Sequence, residues 1–173
     1  MIIAAYAGTG KTTLAMKHPH AFTDFVCMPY KYHLDENNRT DDEACKANPD
    51  NIMRDEWPYN YVSAIKSAYE YGKHLLIPTD MQVLMLLERN NLPYFLCYPV
   101  RNAKEAYRQR FINRGNTAEF IDIFINRWDW FLDRFEQDTY GQPIVMKPDE
   151  FLSDVILCED THYIISNKTS SSQ

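Results

Sequence analysis

Short apolar runs alternate with longer amphipathic segments along this chain. The runs that predict buried strands cover residues 1–6, 21–27, 74–78, 92–99 and 143–146. Apolar positions recur at helical spacing in the segments between them, which are residues 11–17, 58–71, 81–90, 102–113, 117–137 and 150–158. Strands that alternate with helices favour a parallel sheet with right-handed crossovers. The pattern therefore predicts an α/β fold, a three-layer sandwich around one parallel sheet.

The same pattern predicts one domain over residues 1–158, followed by a flexible tail at 159–173. No internal repeat or linker divides the chain. A long polar, largely acidic stretch at residues 28–57 has little periodicity. Such a segment is either a solvated insertion or a functional element over the carboxyl edge of the sheet, where α/β folds bind their ligands.

The segment after the first apolar run carries the most specific motif in the chain. Residues 5–13 read AYAGTGKTT, which fits the phosphate-loop pattern G-x-x-x-x-G-K-[ST] except that Ala5 holds the first glycine position. In this strand–loop–helix context, backbone N–H groups surround an anion. Lys11 would reach the β- and γ-phosphates of ATP, and the Thr12 hydroxyl would bind Mg²⁺. The residues expected to bind the nucleotide are Ala7, Gly8, Thr9, Gly10, Lys11, Thr12 and Thr13.

Composition narrows the classes of partner. The chain has 173 residues and a net charge of −6, which argues against a surface built for nucleic acid. No apolar run approaches the roughly 18–20 residues of a membrane span, and the 1–6 run is expected to be a strand and not a secretory leader. The four cysteines form no C-x-x-C pair, and Cys27 and Cys97 are expected to be buried free thiols. These features favour a cytoplasmic protein.

Arginines concentrate late in the chain, at positions 101, 108, 110, 114 and 127. Arg110 and Arg114 are four residues apart, so they share one helix face. Guanidinium groups suit bidentate contacts with phosphate. The alternative is a solvated basic helix end that is balanced by neighbouring carboxylates. The long helix predicted next has an aromatic stripe, which is expected to belong to the core.

These features together resemble the adenylate-kinase-like nucleoside and nucleotide kinases. The resemblance rests on GTGKTT, on the strand 74–78 ending at Thr79-Asp80, and on the strand 94–99 followed by residues 107–115. More narrowly, residues 55–61, residues 114–116 and Trp128 resemble uncharacterised small kinase-like proteins of phages and Firmicutes. The resemblance implies the strand order 2-3-1-4-5, a lid-like segment at 108–117 and ATP-dependent phosphoryl transfer.

The chain departs from that family after the third strand. Adenylate kinases usually have D-G-x-P-R there, whereas Asp80 is followed here by Met81-Gln82-Val83. An acceptor-binding arginine is therefore missing or is supplied elsewhere. Asp80 is the first candidate for a water-mediated Mg²⁺ contact, and Asp24 is the second. Both carboxylates could instead be local, as a helix cap and a strand-end residue.

The leading hypothesis is an ATP- and Mg²⁺-dependent kinase that acts on a small acceptor, with a nucleoside monophosphate preferred. The transferring group would be stabilised by Lys11, Arg110, Arg114 and Arg127. Residues 28–57 would form the acceptor pocket, with Tyr30, Tyr32 and Trp57 available for stacking.

Two alternatives remain open. A kinase for a neutral hydroxyl acceptor, such as a sugar, would need a carboxylate beside that hydroxyl, and Asp24 or Asp35 could supply it. An ATP-binding or ATP-hydrolysing interaction module would instead use the acidic stretch as a docking surface. Nucleic acid and membranes are not expected as partners.

Overall fold

The computed structural model describes residues 1–33 and 52–156. Within them lies a five-stranded, fully parallel sheet with the order β2-β3-β1-β4-β5. The strands are β1 (Ile2–Ala5), β2 (Phe22–Asp24), β3 (His74–Pro78), β4 (Tyr94–Pro99) and β5 (Gln142–Met146). The predicted fold class and strand order are both confirmed.

Helices connect the strands and cover both faces of the sheet. They are α1 (Lys11–Lys17), α2 (Met28–Lys31), α3 (Tyr59–Glu70), α4 (Met81–Arg89), α5 (Lys104–Asn113), α6 (Ala118–Asn126), α7 (Trp128–Glu136) and α8 (Leu152–Ile156), with a 3₁₀ turn at Arg101–Ala103. None of the helices seen in the described ranges is long and apolar enough to cross a bilayer.

The central strand shows how the three layers form. Every residue of β1 is buried, and its side chains alternate between the two faces. Ile2 and Ala4 pack into a core with α3, α4, α5, α6 and α7, whereas Ile3 and Ala5 pack with α1 and α8. A strand that is buried on both faces reads as a continuous apolar run, which is why residues 1–6 could be recognised as its source.

Two of the predicted elements differ in extent from those in the structure. The helix predicted over residues 117–137 is two helices, α6 and α7, which meet at Arg127. Strand β2 covers only three residues of the predicted 21–27 run. Residues 34–51, which form most of the predicted acceptor stretch, and residues 157–173, which include the predicted tail, lie outside the described residues.

Candidate functional site

The loop between β1 and α1 has the backbone that a phosphate-binding loop needs. Gly8 and Gly10 have φ values of 78° and 94°, a left-handed conformation that glycine adopts at little cost. Between them, the buried Thr9 side chain donates a hydrogen bond from Oγ1 to the carbonyl of Tyr6 at 2.7 Å. The two glycines and this hydrogen bond therefore help to set the shape of the loop.

Neighbouring rings leave little room for side chains at these glycines. A Cβ added to Gly8 would lie 2.8 Å from Cε1 of Phe111, and one added to Gly10 would lie 3.3 Å from Cδ1 of Phe151. The backbone can therefore approach a ligand closely while its other side rests on Phe111 and Phe151.

Lys11 folds back over the start of the loop. Its Nζ donates to the carbonyl of Ala5 at 2.7 Å and to that of Tyr6 at 3.2 Å. The ammonium group therefore lies inside the loop's curve, where phosphate oxygens could replace the two carbonyls. This position fits the role predicted for Lys11.

The hydroxyl predicted to bind Mg²⁺ contacts a carboxylate. Thr12 Oγ1 lies 2.6 Å from Asp24 Oδ2, at the carboxyl end of β2. Since the hydroxyl donates its proton to Asp24, its oxygen lone pairs remain available to a hard cation such as Mg²⁺. In the described parts of the chain, no three His, Cys, Asp or Glu side chains form a metal-binding group. The Thr12 hydroxyl, beside the Asp24 carboxylate, is therefore the group that could hold a Mg²⁺ ion at the loop.

Asp80, the first candidate for the Mg²⁺ contact, has two other partners. Its Oδ1 accepts hydrogen bonds from the backbone N–H groups of Gln82 and Val83, which caps α4. Its Oδ2 lies 3.2 Å from Nζ of Lys31, whose ammonium also lies 5.0 Å from the centre of the Trp57 ring. Asp80 lines the same cleft as Thr12, but its carboxylate is committed to local contacts that Asp24 does not make.

Arg110 joins the phosphate loop to the segment after β5. Its Nη1 donates to the carbonyl of Gly8 at 3.3 Å, and its Nη2 donates to the carbonyls of Pro148 and Glu150 at 2.8 and 3.0 Å. The guanidinium carbon lies 3.9 Å from the centre of the Phe151 ring. These contacts make Arg110 a brace of the loop.

The tyrosine beneath this brace stays neutral. The guanidinium carbon of Arg110 lies 4.6 Å from the centre of the Tyr107 ring. Burial raises the pKa of Tyr107 to about 12, although the charge of Arg110 opposes this shift. An aromatic ring with a neutral hydroxyl group therefore supports the loop from below.

The other arginines of the predicted cluster separate into two groups. Arg114 and Arg127 are exposed and line the cleft. Arg101 instead pairs with Asp133 and Glu136 at 2.5 and 2.6 Å, and Arg108 pairs with Glu105; neither lines the cleft. Only part of the arginine-rich window therefore faces the site.

These groups surround one cleft of about 890 Å³ at the carboxyl edge of the sheet. Its lining includes every predicted site residue except Thr9, which is buried: Ala7, Gly8, Gly10, Lys11, Thr12, Thr13, Asp80, Arg110, Arg114 and Arg127. The predicted stacking residues do not line it. Trp57 is a core residue that stacks on Tyr61, and Tyr30 packs beside them, because the segment that carries these rings folds against α3.

The cleft also has residues that the sequence did not single out. An aromatic wall, defined as Phe120, Phe124, Trp130 and Phe131, lies in α6 and α7 and lines the cleft. These rings belong to the stripe assigned to the core or lie beside it, and only the stripe's Ile125, Trp128, Leu132 and Phe135 are fully buried. The unusual width of that stripe was a signal that one helix face could not bury all of it. Lys31, Asn116 and Phe151 line the cleft without any local motif.

Cys27 also differs from its expected position. It is half-buried and lines the cleft, whereas Cys97 is fully buried in β4, where burial raises the pKa of its thiol to about 12. The expectation of a buried thiol therefore holds only for Cys97.

The sheet order and the loop at the end of β1 are those of the P-loop NTPase fold. A gluconokinase from Sinorhizobium meliloti 1021 has a similar structure, with a TM-score of 0.55 over 99% of this chain and 97% of that chain. The two sequences are 12% identical, so the similarity shows the fold. No protein-family model and no curated protein sequence matches the chain. The narrower likeness to phage and Firmicutes proteins stays a prediction.

Proposed function

We propose that this protein is an ATP-dependent phosphotransferase that moves the γ-phosphoryl group to a small acceptor. The observation that carries the proposal is the shared cleft, which is lined by Lys11, by the Thr12–Asp24 pair and by the exposed Arg114 and Arg127. Phosphoryl transfer depends on positioning and charge stabilisation, and this cleft brings several cations together with a phosphate loop.

On the donor side, the loop and Lys11 hold the phosphates of ATP. Thr12 binds Mg²⁺, and Asp24 orients the Thr12 hydroxyl through their hydrogen bond. Mg²⁺ supplies charge neutralisation between the phosphates when it is bound. Asp80, which the sequence ranked first, holds α4 and Lys31 in place.

On the transfer side, Arg114 and Arg127 stabilise the charge that spreads over the transferring group. Both are exposed, so both can move towards a phosphate without breaking a packed contact. Arg110 holds the loop in place through its hydrogen bonds to main-chain carbonyls. Within the predicted lid-like segment, residues 108–117, α5 is anchored by the buried Tyr107 and Phe111. The part of the segment that can act as a lid is therefore the turn around Arg114.

For the acceptor, we propose a nucleoside monophosphate. The support is the exposed arginine pair, whose guanidinium forks match a second phosphate, and such an acceptor needs no general base. A hydroxyl acceptor is the second candidate. It is favoured by the Asp24 carboxylate at the cleft and by the gluconokinase with a similar fold; Asp35 lies outside the described residues.

The test is coupled ADP release with Mg-ATP against panels of nucleoside monophosphates, nucleosides and sugar acids. We expect one panel to raise ADP release above background, and we expect Lys11→Ala to abolish both this turnover and ATP binding. If ATP binds but no acceptor raises ADP release, the kinase proposal is wrong and an ATP-binding interaction module becomes the better description. If Lys11→Ala binds ATP as tightly as the parent, the site itself is misassigned.

A further inference from the structure

The aromatic wall is a continuous apolar surface on one side of the cleft. The Phe120 and Phe124 rings lie 4.5 Å apart between centres, Phe124 and Phe131 are stacked at 5.5 Å, and Trp130 meets Phe131 edge-on at 5.1 Å. The three phenylalanines are half-buried, and Trp130 is 46% exposed. Contiguous exposed apolar surface next to a polar site is typical of a ligand-binding face.

Buried rings hold this wall in place from behind. Phe124 packs edge-on against Tyr6, whose ring is fully buried and whose hydroxyl donates to the carbonyl of Phe124 at 3.0 Å. Phe120 meets the buried Phe111 edge-on at 5.3 Å. Phe111 and Tyr6 also adjoin the phosphate loop. The wall is therefore pre-formed and fixed relative to the loop.

Polar groups beside the wall fit an anionic ligand that also carries a hydrogen-bond donor. Arg127 lies at the junction of α6 and α7, and Arg114 lies before α6, so both cations flank the phenylalanines. Asn116 lines the cleft as well, and its Oδ1 is buried with no hydrogen-bond partner. A buried amide oxygen without a partner is costly unless a ligand donates to it.

The wall and Phe151, the other exposed ring named at this site, belong to segments that pack on opposite faces of the sheet. Phe151 lies against Gly10 and leads into α8, which packs on the same face of the sheet as α1. The wall belongs to α6 and α7, which pack on the opposite face. The loop thus has a ring surface on each side. ATP can use only one of them for its base, and Phe151 is the one that touches the loop itself.

From this arrangement we propose that the wall holds the acceptor, and that the acceptor is an anion with a planar ring of nucleobase size. The ring stacks on the wall, its anionic group meets Arg114 and Arg127, and a ring or sugar donor reaches Asn116 Oδ1. This inference rests on the proposed function and sharpens it, because a polyhydroxy acid has no ring for the wall to hold.

The fluorescence of Trp130 can report ligand binding at the wall. Of the three tryptophans, Trp57 and Trp128 are buried, so stacking on the wall should quench mainly Trp130. Intrinsic fluorescence and calorimetry are measured with AMP, GMP, CMP, UMP and TMP, and with ribose 5-phosphate and gluconate as ring-free anions. We expect at least one nucleoside monophosphate to bind about tenfold or more tightly than ribose 5-phosphate, with quenching.

Variants then assign that binding to the wall. Phe120→Ala should weaken calorimetric binding of the ring-bearing probe about tenfold while ribose 5-phosphate binds as before. Trp130→Phe should retain binding and lose the quenching. Tyr71→Ala, which removes a ring that is 87% exposed and does not line the cleft, is the matched control and should change neither. Circular dichroism confirms that each variant is folded.

Three results would overturn the inference. One is that no nucleoside monophosphate binds better than ribose 5-phosphate or gluconate. Another is that Phe120→Ala weakens both kinds of probe equally. The third is that Phe120→Ala weakens ATP binding and leaves the acceptor probe unaffected, because the wall would then hold the donor base. Lys11-dependent ATP binding by the parent protein is measured separately, so a failure here is distinct from a failure of the proposed function.

Discussion

Thr12 Oγ1 and Asp24 Oδ2 lie 2.6 Å apart and join the start of α1 to the end of β2. Thr12 lies in the helix that follows β1, and Asp24 ends β2, a strand that β3 separates from β1 in the sheet. Because the Asp24 carboxylate fixes the direction of the hydroxyl proton, we expect it to govern how Thr12 meets Mg²⁺.

Asp24→Asn therefore tests the carboxylate that supports the metal. The Mg²⁺ concentration for half-maximal ADP release should rise about tenfold or more, because a neutral amide orients Thr12 poorly and adds no charge. A Mg²⁺ titration of the coupled assay measures this. Asp80→Asn is assayed in parallel and should shift the requirement less; the reverse ranking would make Asp80 the metal carboxylate.

Asp80 should matter more to stability. Asp80→Ala removes the cap of α4 and leaves Lys31 without its carboxylate, so the free energy of unfolding should fall by about 1–2 kcal/mol. Urea denaturation followed by circular dichroism measures the change. Asp122→Ala, at an exposed position of α6, is the matched control and should stay within about 0.5 kcal/mol of the parent. Equal effects in the two variants would contradict the capping role.

Arg110 and Arg114 should differ although one helical turn separates them. Arg110→Lys loses the fork that reaches the carbonyls of Gly8, Pro148 and Glu150, so it should lower the free energy of unfolding by about 1–3 kcal/mol and raise the KM for ATP. Arg114→Lys should leave stability unchanged and lower kcat. Thermal melts and steady-state kinetics of both variants provide the comparison, and a loss of kcat without a loss of stability in Arg110→Lys would contradict the brace.

His74 should make stability depend on pH. Burial, and then the ammonium of Met1, whose nitrogen lies 3.3 Å from His74 Nδ1, lower the pKa of His74 below 6.5. The unfolded chain therefore binds a proton before the folded one does. The contribution of His74 to the free energy of unfolding is fully present above pH 6.5. It decreases as the pH falls towards the lowered pKa of the folded protein.

Urea denaturation at pH 7.5 and pH 5.5 checks this sign. His74→Gln should lose less stability between the two pH values than the parent does. His20→Gln removes an exposed histidine and should follow the parent. Parallel behaviour of all three proteins would show that His74 does not contribute.

The parts of the molecule that the sequence predicted are those in which local pattern decides structure. The glycines and Lys11 of the loop, and the apolar runs of β1, β3 and β4, are each recognisable within a few residues. The strand order followed from the resemblance to a known fold, and the structure confirms it. The predicted helix start at residue 117 also agrees with the structure, in which the Thr117 side chain accepts a hydrogen bond from the N–H of Phe120 and caps α6.

The rest of the site depends on tertiary packing. Phe124 and Trp128 repeat at helical spacing, yet Phe124 faces the cleft and Trp128 is fully buried. The two residues lie in different helices, α6 and α7, which meet at Arg127, and no proline or glycine marks this boundary in the sequence. Trp57 shows the opposite case. It borders a polar stretch, which predicted a place in the acceptor pocket, but its ring packs onto Tyr61 in the core.

The brace of the loop also has a consequence for synthesis of the chain. Thr9 accepts a hydrogen bond from the N–H of Leu152 at 2.9 Å, and Arg110 ties Gly8 to Pro148 and Glu150. The loop leaves the ribosome before the residues that support it, which follow about a hundred or more positions later in the chain. A nascent chain that has not yet reached residue 152 should therefore hold nucleotide weakly, and ATP should favour only the nearly finished fold.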